Sequence, residues 1–287
     1  MEFDPDRLLA HAFPEVRHRY TERDAILYAL GIGLGADPLN RDDLAFLYEQ
    51  NLRVLPTMAV TLASLGMWIR DPSLGIDWVR LLHAGQSAWF PRPLAPNGDV
   101  VGRARVASLD DRGEGKGAIL VVERNIHDAA SDELLCRVEQ TVILRGNGGY
   151  SKATSKRAEL EPMPERAPDH QASFAVSPRA ALIYRLSGDY NPLHIDPEIA
   201  TRAGFDRPIL HGLASYGVAG WTILRELAQF RPERLASLSV RFAGVVYPGD
   251  TVTFSMWRDG SRVRFLARVG DRKVLDQGAA EMRDAPC

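Results

Sequence analysis

The chain is expected to be an α+β protein built from two copies of one plan, and two observations carry that reading. Each half contains a mostly apolar segment of helical length, Leu55 to Ile69 and Gly212 to Phe230, followed by consecutive β-rich runs. Alternating strand–helix units are missing, which argues for antiparallel strands set apart from the helices. Each strand set also follows a similar turn, Pro96-Asn97-Gly98-Asp99-Val100 in the first half and Pro248-Gly249-Asp250-Thr251 in the second.

The elements follow in order. Residues 1–150 form the first module. Gly31 to Gly35, G-I-G-L-G, follows a helical run rather than a strand, so it reads as a turn and not as a phosphate loop. Leu55 to Ile69 carries Thr57, Thr61 and Ser64 and is too short to span a bilayer; a buried helix is expected. Strands are expected at Gly102 to Ser108, Ala118 to Asn125 and Glu133 to Leu144. Between Gly148 and Ala172 a Gly-Gly pair, several charges, and Pro162, Pro164 and Pro168 break any periodicity, which assigns residues 151–172 as a linker.

Residues 173–287 form the second module. Ser177-Pro178 starts a short helix that runs out at Gly188, and Asp196-Pro197 starts another that ends at Gly204. The long helix Gly212 to Phe230 carries Ala214, Gly217, Ala219 and Gly220, which let it lie close to a sheet. Strands Val252 to Trp257 and Arg262 to Val269 are joined by the hairpin signal Asp259-Gly260-Ser261, and Lys273 to Met282 follows.

Composition narrows the function. An apolar fraction of 45% and a charged fraction of 25% suit a soluble globular protein of 287 residues. A formal net charge of -2 makes no electrostatic case for nucleic acid or an anionic membrane as partner. Cys136 and Cys287 are too few for a disulfide framework. The acidic start M-E-F-D-P-D-R has no signal-peptide core, and the final D-A-P-C is not the S-K-L peroxisomal address, so a cytoplasmic enzyme is expected.

The most informative stretch is Tyr184 to His194, Y-R-L-S-G-D-Y-N-P-L-H. It puts Asp189, Asn191 and His194 within six residues, between two short helices. Pro192 disfavours helical geometry at Asn191, so the three side chains share a constrained loop. Each alone would read as a cap or a packing residue; together they read as a positioned acid/base set. The seven histidines include no i, i+4 pair beside a carboxylate, so no metal is expected. No G-x-G-x-x-G opens a helix after a strand, so no nicotinamide cofactor is expected either.

The pattern D-x-N-P-x-H, followed by P-I-L-H-G at Pro208 to Gly212, resembles the R-specific 2-enoyl-CoA hydratases (hydratase 2) of the MaoC-like dehydratases. Tyr28 to Gly33, Leu44 to Glu49, Leu55 to Thr57 and Val240 to Gly249 extend the resemblance to the hydratase part of peroxisomal multifunctional enzymes. The resemblance implies a double hotdog, two modules that each wrap a sheet around a central helix, forming a pseudo-dimer within one chain. It implies reversible hydration of trans-2-enoyl-CoA to the (3R)-3-hydroxyacyl-CoA, with coenzyme A as part of the substrate and no further cofactor. Asp189 and His194 would hold and deprotonate water, Asn191 would orient it, and the Gly212 N–H would meet the thioester oxygen. Only the second half carries the loop, so one site per chain is expected. Substrate contacts fall on His83, Ala84, Tyr190, Pro192, Leu193, His211 and Phe242. Relatives have glycine where Ala84 stands and tend to have lysine where Glu114 stands, which shifts a CoA-phosphate grip to Lys116, Arg112 or Arg207. A homodimer is expected. The alternatives are a hotdog acyl-CoA thioesterase, which would not need D-x-N-P-x-H, and a non-catalytic acyl-binding module. A long pocket lined by the Leu55 to Ile69 run and Trp68 is also expected, against the view that Met58, Met67 and Trp68 fill core.

Overall fold

The computed structural model describes residues 3–151 and 161–284. Ten strands, in chain order β1 (Val16–Tyr20), β2 (Leu81–Trp89), β3 (Gly98–Asp111), β4 (Ala118–Asp128), β5 (Leu134–Leu144), β6 (His170–Ala175), β7 (Leu235–Phe242), β8 (Thr251–Asp259), β9 (Arg262–Val269) and β10 (Arg272–Met282), form one antiparallel sheet. Its order is β1-β3-β4-β5-β2-β7-β10-β9-β8-β6. The left five and the right five repeat the same topology, reversed about the β2–β7 seam. That seam pairs Gly85 with Arg241 through Trp89 with Ser237, with Ser87 opposite Ser239 at its centre. Gly85 keeps the seam close there, since a Cβ would come within 3.1 Å of the Val240 carbonyl oxygen. β6 begins at His170, inside the span read as linker; residues 152–160 of that span lie outside the described residues.

The helices in chain order are α1 (Pro5–Leu9), α2 (Glu22–Ile32), α3 (Arg41–Leu44), α4 (Ala180–Tyr184), α5 (Pro197–Arg202) and α6 (Gly212–Leu227). α6 is the central helix of the second module, apolar nearly all round and buried from Ala214 to Leu224. Its glycines set the packing. A Cβ on Gly217 would meet Ile32 Cγ2 and the Tyr28 hydroxyl at 2.7 Å, and one on Gly220 would meet Thr57 Cγ2 at 2.4 Å. Trp221, Tyr216, Tyr28 and Tyr184 fill the core around it. No helix among the described residues is long and apolar enough to cross a membrane.

The first module departs from the expected buried helix. Leu55 to Ile69 forms a short 3₁₀ segment, Pro56–Thr61, then turns away at Ala63 and Gly66, both at positive φ, and enters a second one, Trp68–Arg70. The β-branched Thr57, Val60 and Thr61 weaken helix propagation. Tertiary contacts then fix the end: Arg124 donates to the Val60 carbonyl at 2.8 Å, and the Ala63 N–H donates to His18 Nδ1 at 2.9 Å. Arg124 is a cation at the negative end of that turn, and desolvation holds its pKa down to about 10. Met58 is buried in the main core, whereas Met67 is 53% exposed. Trp68 packs on His11 and Phe13 against a second, smaller core under β3, β4 and β5. The run thus packs into both cores, with Met58 in the main one and Trp68 against the smaller one.

Candidate active site

The loop that carries the site is built by local rules. α4 passes into a 3₁₀ turn, Arg185–Ser187, and stops at Gly188 with φ +114°. Two side chain-to-backbone turns follow. The Asn191 N–H donates to Asp189 Oδ1 at 3.1 Å, and the Leu193 N–H donates to Asn191 Oδ1 at 3.1 Å. Asn191 is extended (φ -56°, ψ 121°), as a residue before proline should be, and caps the 3₁₀ turn Pro192–His194. The Asn191 oxygen thus accepts from the backbone, while its amide N–H groups can donate to a water. Asp196 caps α5 and closes the loop.

His194 is 8% exposed, and its Nδ1 lies 2.9 Å from the Ile209 carbonyl oxygen. A carbonyl can only accept, so Nδ1 carries the proton and Nε2 keeps the lone pair. His211 is fully buried, and its Nε2 donates in the same way to the backbone carbonyl of Asp189 at 3.1 Å. The two imidazoles stack, with centroids 3.8 Å apart and planes 28° off parallel. Desolvation lowers the pKa of both; His211 falls to about 4, because burial and the neighbouring His194 both oppose its charge. Asp189, less buried than either ring, brings its carboxylate to them. One ligand-type atom from each of Asp189, His194 and His211 lies within 4.8 Å of the other two. Such a set could also hold a divalent metal, although one nitrogen of each ring is already given to a backbone carbonyl.

Gly212 follows His211 directly and is the first residue of α6. Its N–H has no intrahelical acceptor and points from the positive end of the helix dipole. A Cβ at Gly212 would lie 3.4 Å from Phe242 Cε1, so the end of β7 walls this position. Phe242 in turn meets His83 of β2 edge to face, with centroids 4.9 Å apart. His83 Nε2 is 3.0 Å from the Gly85 carbonyl oxygen, and Ala84 sits at the bulge in the β2–β5 ladder between them. Burial lowers the His83 pKa to about 4 against the pull of that carbonyl and of Asp189. The seam thus brings His83 and Ala84 from the first module to Asp189, His194, His211, Gly212 and Phe242 from the second.

The remaining sequence candidates are more peripheral. Tyr190 is 58% exposed beneath the Arg185 guanidinium, 4.9 Å from its ring centroid. Pro192 is exposed and Leu193 half-buried on the 3₁₀ turn. Arg207 stacks over Tyr247 at 4.9 Å and lies 3.8 Å from Asp250, while Arg112 and Lys116 sit in the turn between β3 and β4. Sequence reading missed the Ile209 carbonyl, which chooses the His194 tautomer; a backbone acceptor leaves no residue-type signal.

The two halves match two family models in chain order. Residues 18–146 match the MFE-2 hydratase 2 N-terminal domain, and residues 159–278 match the MaoC like domain. A peroxisomal enoyl-CoA hydratase 2 of Arabidopsis thaliana is 40% identical, over 98% of this chain and 96% of its own length. The chain belongs to the MaoC-like hydratase 2 family. An enoyl-CoA hydratase of Mycobacterium tuberculosis is 36% identical over 97% of this hydratase 2 chain and 98% of its own. The crystal structure of a MaoC-like dehydratase from Phytophthora capsici superposes with a TM-score of 0.85 at 32% identity, covering 98% of this chain and 99% of that one. The architecture is the double hotdog of those neighbours.

Proposed function

We propose that this hydratase 2 member is a hydro-lyase that interconverts trans-2-enoyl-CoA and (3R)-3-hydroxyacyl-CoA at the Asp189–His194 loop. The observation that carries the reading is the His194 Nδ1–Ile209 contact. It leaves Nε2 unprotonated beside the Asp189 carboxylate, so two acceptors can share one water. As the water oxygen bonds to C3, a proton passes to the dyad and negative charge moves onto the thioester oxygen. The Gly212 N–H stabilises that oxygen as an enolate. The same dyad returns a proton to C2, so the elements of water add across the double bond with nothing left over. His83 and Phe242 line the approach from the two modules, and Arg207, Arg112 and Lys116 are the cations available to CoA phosphates. Coenzyme A enters as part of the substrate, and the dyad supplies the proton transfers without a cofactor. The relatives at 36–40% identity, named for enoyl-CoA hydration, support the reading. The same reading includes a homodimer, with no nucleic-acid or membrane partner, and a cytoplasmic location; the buried free thiol of Cys136 suits a reducing compartment.

The test follows enoyl absorbance, free thiol release and product chirality with crotonyl-CoA and longer trans-2-enoyl-CoAs. The expected product is the 3R thioester with no thiol release. Asp189→Ala and His194→Ala should each lower kcat by about 10² to 10⁴-fold with the fold retained. Predominant thiol release would make the protein a thioesterase, and a 3S product or near-normal turnover in either variant would remove this mechanism.

A further inference from the structure

His211 touches both members of the dyad. Its Nε2–H holds the backbone carbonyl of Asp189 at 3.1 Å, and its ring lies 3.8 Å from that of His194. It is the N-cap residue whose extended backbone (φ -56°, ψ 135°) opens α6 at Gly212. Behind it the ring rests on Tyr184, with centroids 5.0 Å apart, and Tyr184 packs on Tyr28 in turn. The imidazole is backed by the aromatic core.

Packing alone does not account for a histidine at this place. The ring is 0% exposed and its Nδ1 is buried with no hydrogen-bond partner among the described residues. A leucine would fill the space without an unsatisfied nitrogen, so the burial of this polar ring needs a compensating use. That use is the bond to the Asp189 carbonyl. Asp189 sits one residue past Gly188, where a Cβ would meet nothing within 4 Å among the described residues, so no packing at that glycine places the loop. The other anchor of its backbone is the short turn in which its own carboxylate accepts the Asn191 N–H. That turn moves with the loop and cannot place the loop against α6.

We propose that His211 is the positioning residue of the site, fixing Asp189 through its backbone carbonyl and His194 through ring stacking so that both hold register with the Gly212 N–H. The assignment rests on the hydratase reading for its kinetic consequence, but its structural half stands apart from any activity. His211 transfers no proton to substrate. It sets the spacing across which Asp189 and His194 share a water, and misplacement by an ångström at such a spacing costs about 10²-fold in rate.

The experiment compares the whole protein with His211→Leu and His211→Gln. Leucine keeps the volume and removes the donor; glutamine keeps an N–H that can reach the Asp189 carbonyl. The expected result is a kcat fall of about 10²-fold in His211→Leu with KM changed by less than about threefold, and recovery of about tenfold or more in His211→Gln. Equal losses in the two variants, or a Leu variant with normal kcat, would overturn the proposal. If His211→Leu does not fold, the imidazole ¹⁵N shifts of the wild-type protein decide. The proposal requires His211 protonated at Nε2 and His194 at Nδ1, and the opposite tautomer at His211 would end it. Should the wild-type protein hydrate no enoyl thioester, the hydratase reading fails while the tautomer measurement still reports on His211.

Discussion

Gly212 is the residue at which backbone chemistry can be separated from side-chain chemistry. It is the first helical residue of α6, a position where proline is tolerated because the N–H has no intrahelical acceptor. The preceding His211 already has the extended backbone that proline demands of its neighbour. Gly212→Pro should therefore fold, keep the dyad and lose one donor. We expect kcat to fall by about 10² to 10³-fold, as removal of a single oxyanion donor does elsewhere, with a melting temperature close to that of the parent. Gly212→Ala serves as the control, since its Cβ meets Phe242 at 3.4 Å and its N–H remains. Equal losses in the two variants would show that the glycine matters for space and not for its donor. At this scale Asp189, Asn191, His194 and Gly212 were legible as residue types in a spacing. The Asn191 oxygen accepts from the Leu193 N–H and so also caps the turn, a use that the spacing alone did not reveal.

Among the elements, α6 and the 3₁₀ segment Pro56–Thr61 occupy equivalent places, and they differ for local reasons. Ser87 and Ser239 face each other at the centre of the seam, and Phe90 follows the first by three residues as Phe242 follows the second. The first module's element begins with Pro56, which has no N–H to offer, where the second module has Gly212. The first module thus has neither a D-x-N-P-x-H loop nor a backbone donor at that position. The two elements meet where Thr57 lies against Gly220. Gly220→Ala would drive a methyl group to 2.4 Å from Thr57 Cγ2, with Leu238 Cδ2 at 3.4 Å closing the other side. We expect a loss of about 1 to 3 kcal/mol from this overpacking, read as a lower midpoint in urea, partly restored by Thr57→Ser. An unchanged midpoint would mean that the short segment yields freely and does not brace the helix.

For the whole molecule, burial of histidines makes stability depend on pH in a defined window. His83 and His211 have folded-state pKa values of about 4, against about 6.5 unfolded. A depressed histidine pKa favours the neutral form in the fold, so the contribution is complete above pH 6.5. Between pH 6.5 and 4 the unfolded chain binds more protons, and stability falls as pH falls. We expect unfolding free energy to drop by about 4 to 5 kcal/mol between pH 7 and 4.5, since each pKa unit is worth about 1.4 kcal/mol and both rings contribute. His83→Gln should make that slope shallower. A flat profile over this range would show that the imidazoles are more solvated than the structure places them. The carboxylates with lowered pKa, such as Asp169 at about 2 and Asp276 beside Arg241 and Lys273, act below this window.

The sequence by itself determined the α+β plan, its internal repeat, the helix at Gly212 and the loop that bears Asp189 and His194. These depend on signals within a few residues: caps, prolines, glycines and apolar periods. Three things were left to the tertiary structure. The apolar run after Leu55 has the composition of a buried helix, but Arg124 and His18, distant in sequence, end it after a short 3₁₀ segment. Strands β2 and β7 join two modules into one sheet, because edge strands of matching length find each other only once both sheets exist. The chemistry of His194 is decided by the Ile209 carbonyl, 15 residues away in the chain. A backbone oxygen is the same at every residue, so only the fold can say which one a ring will meet.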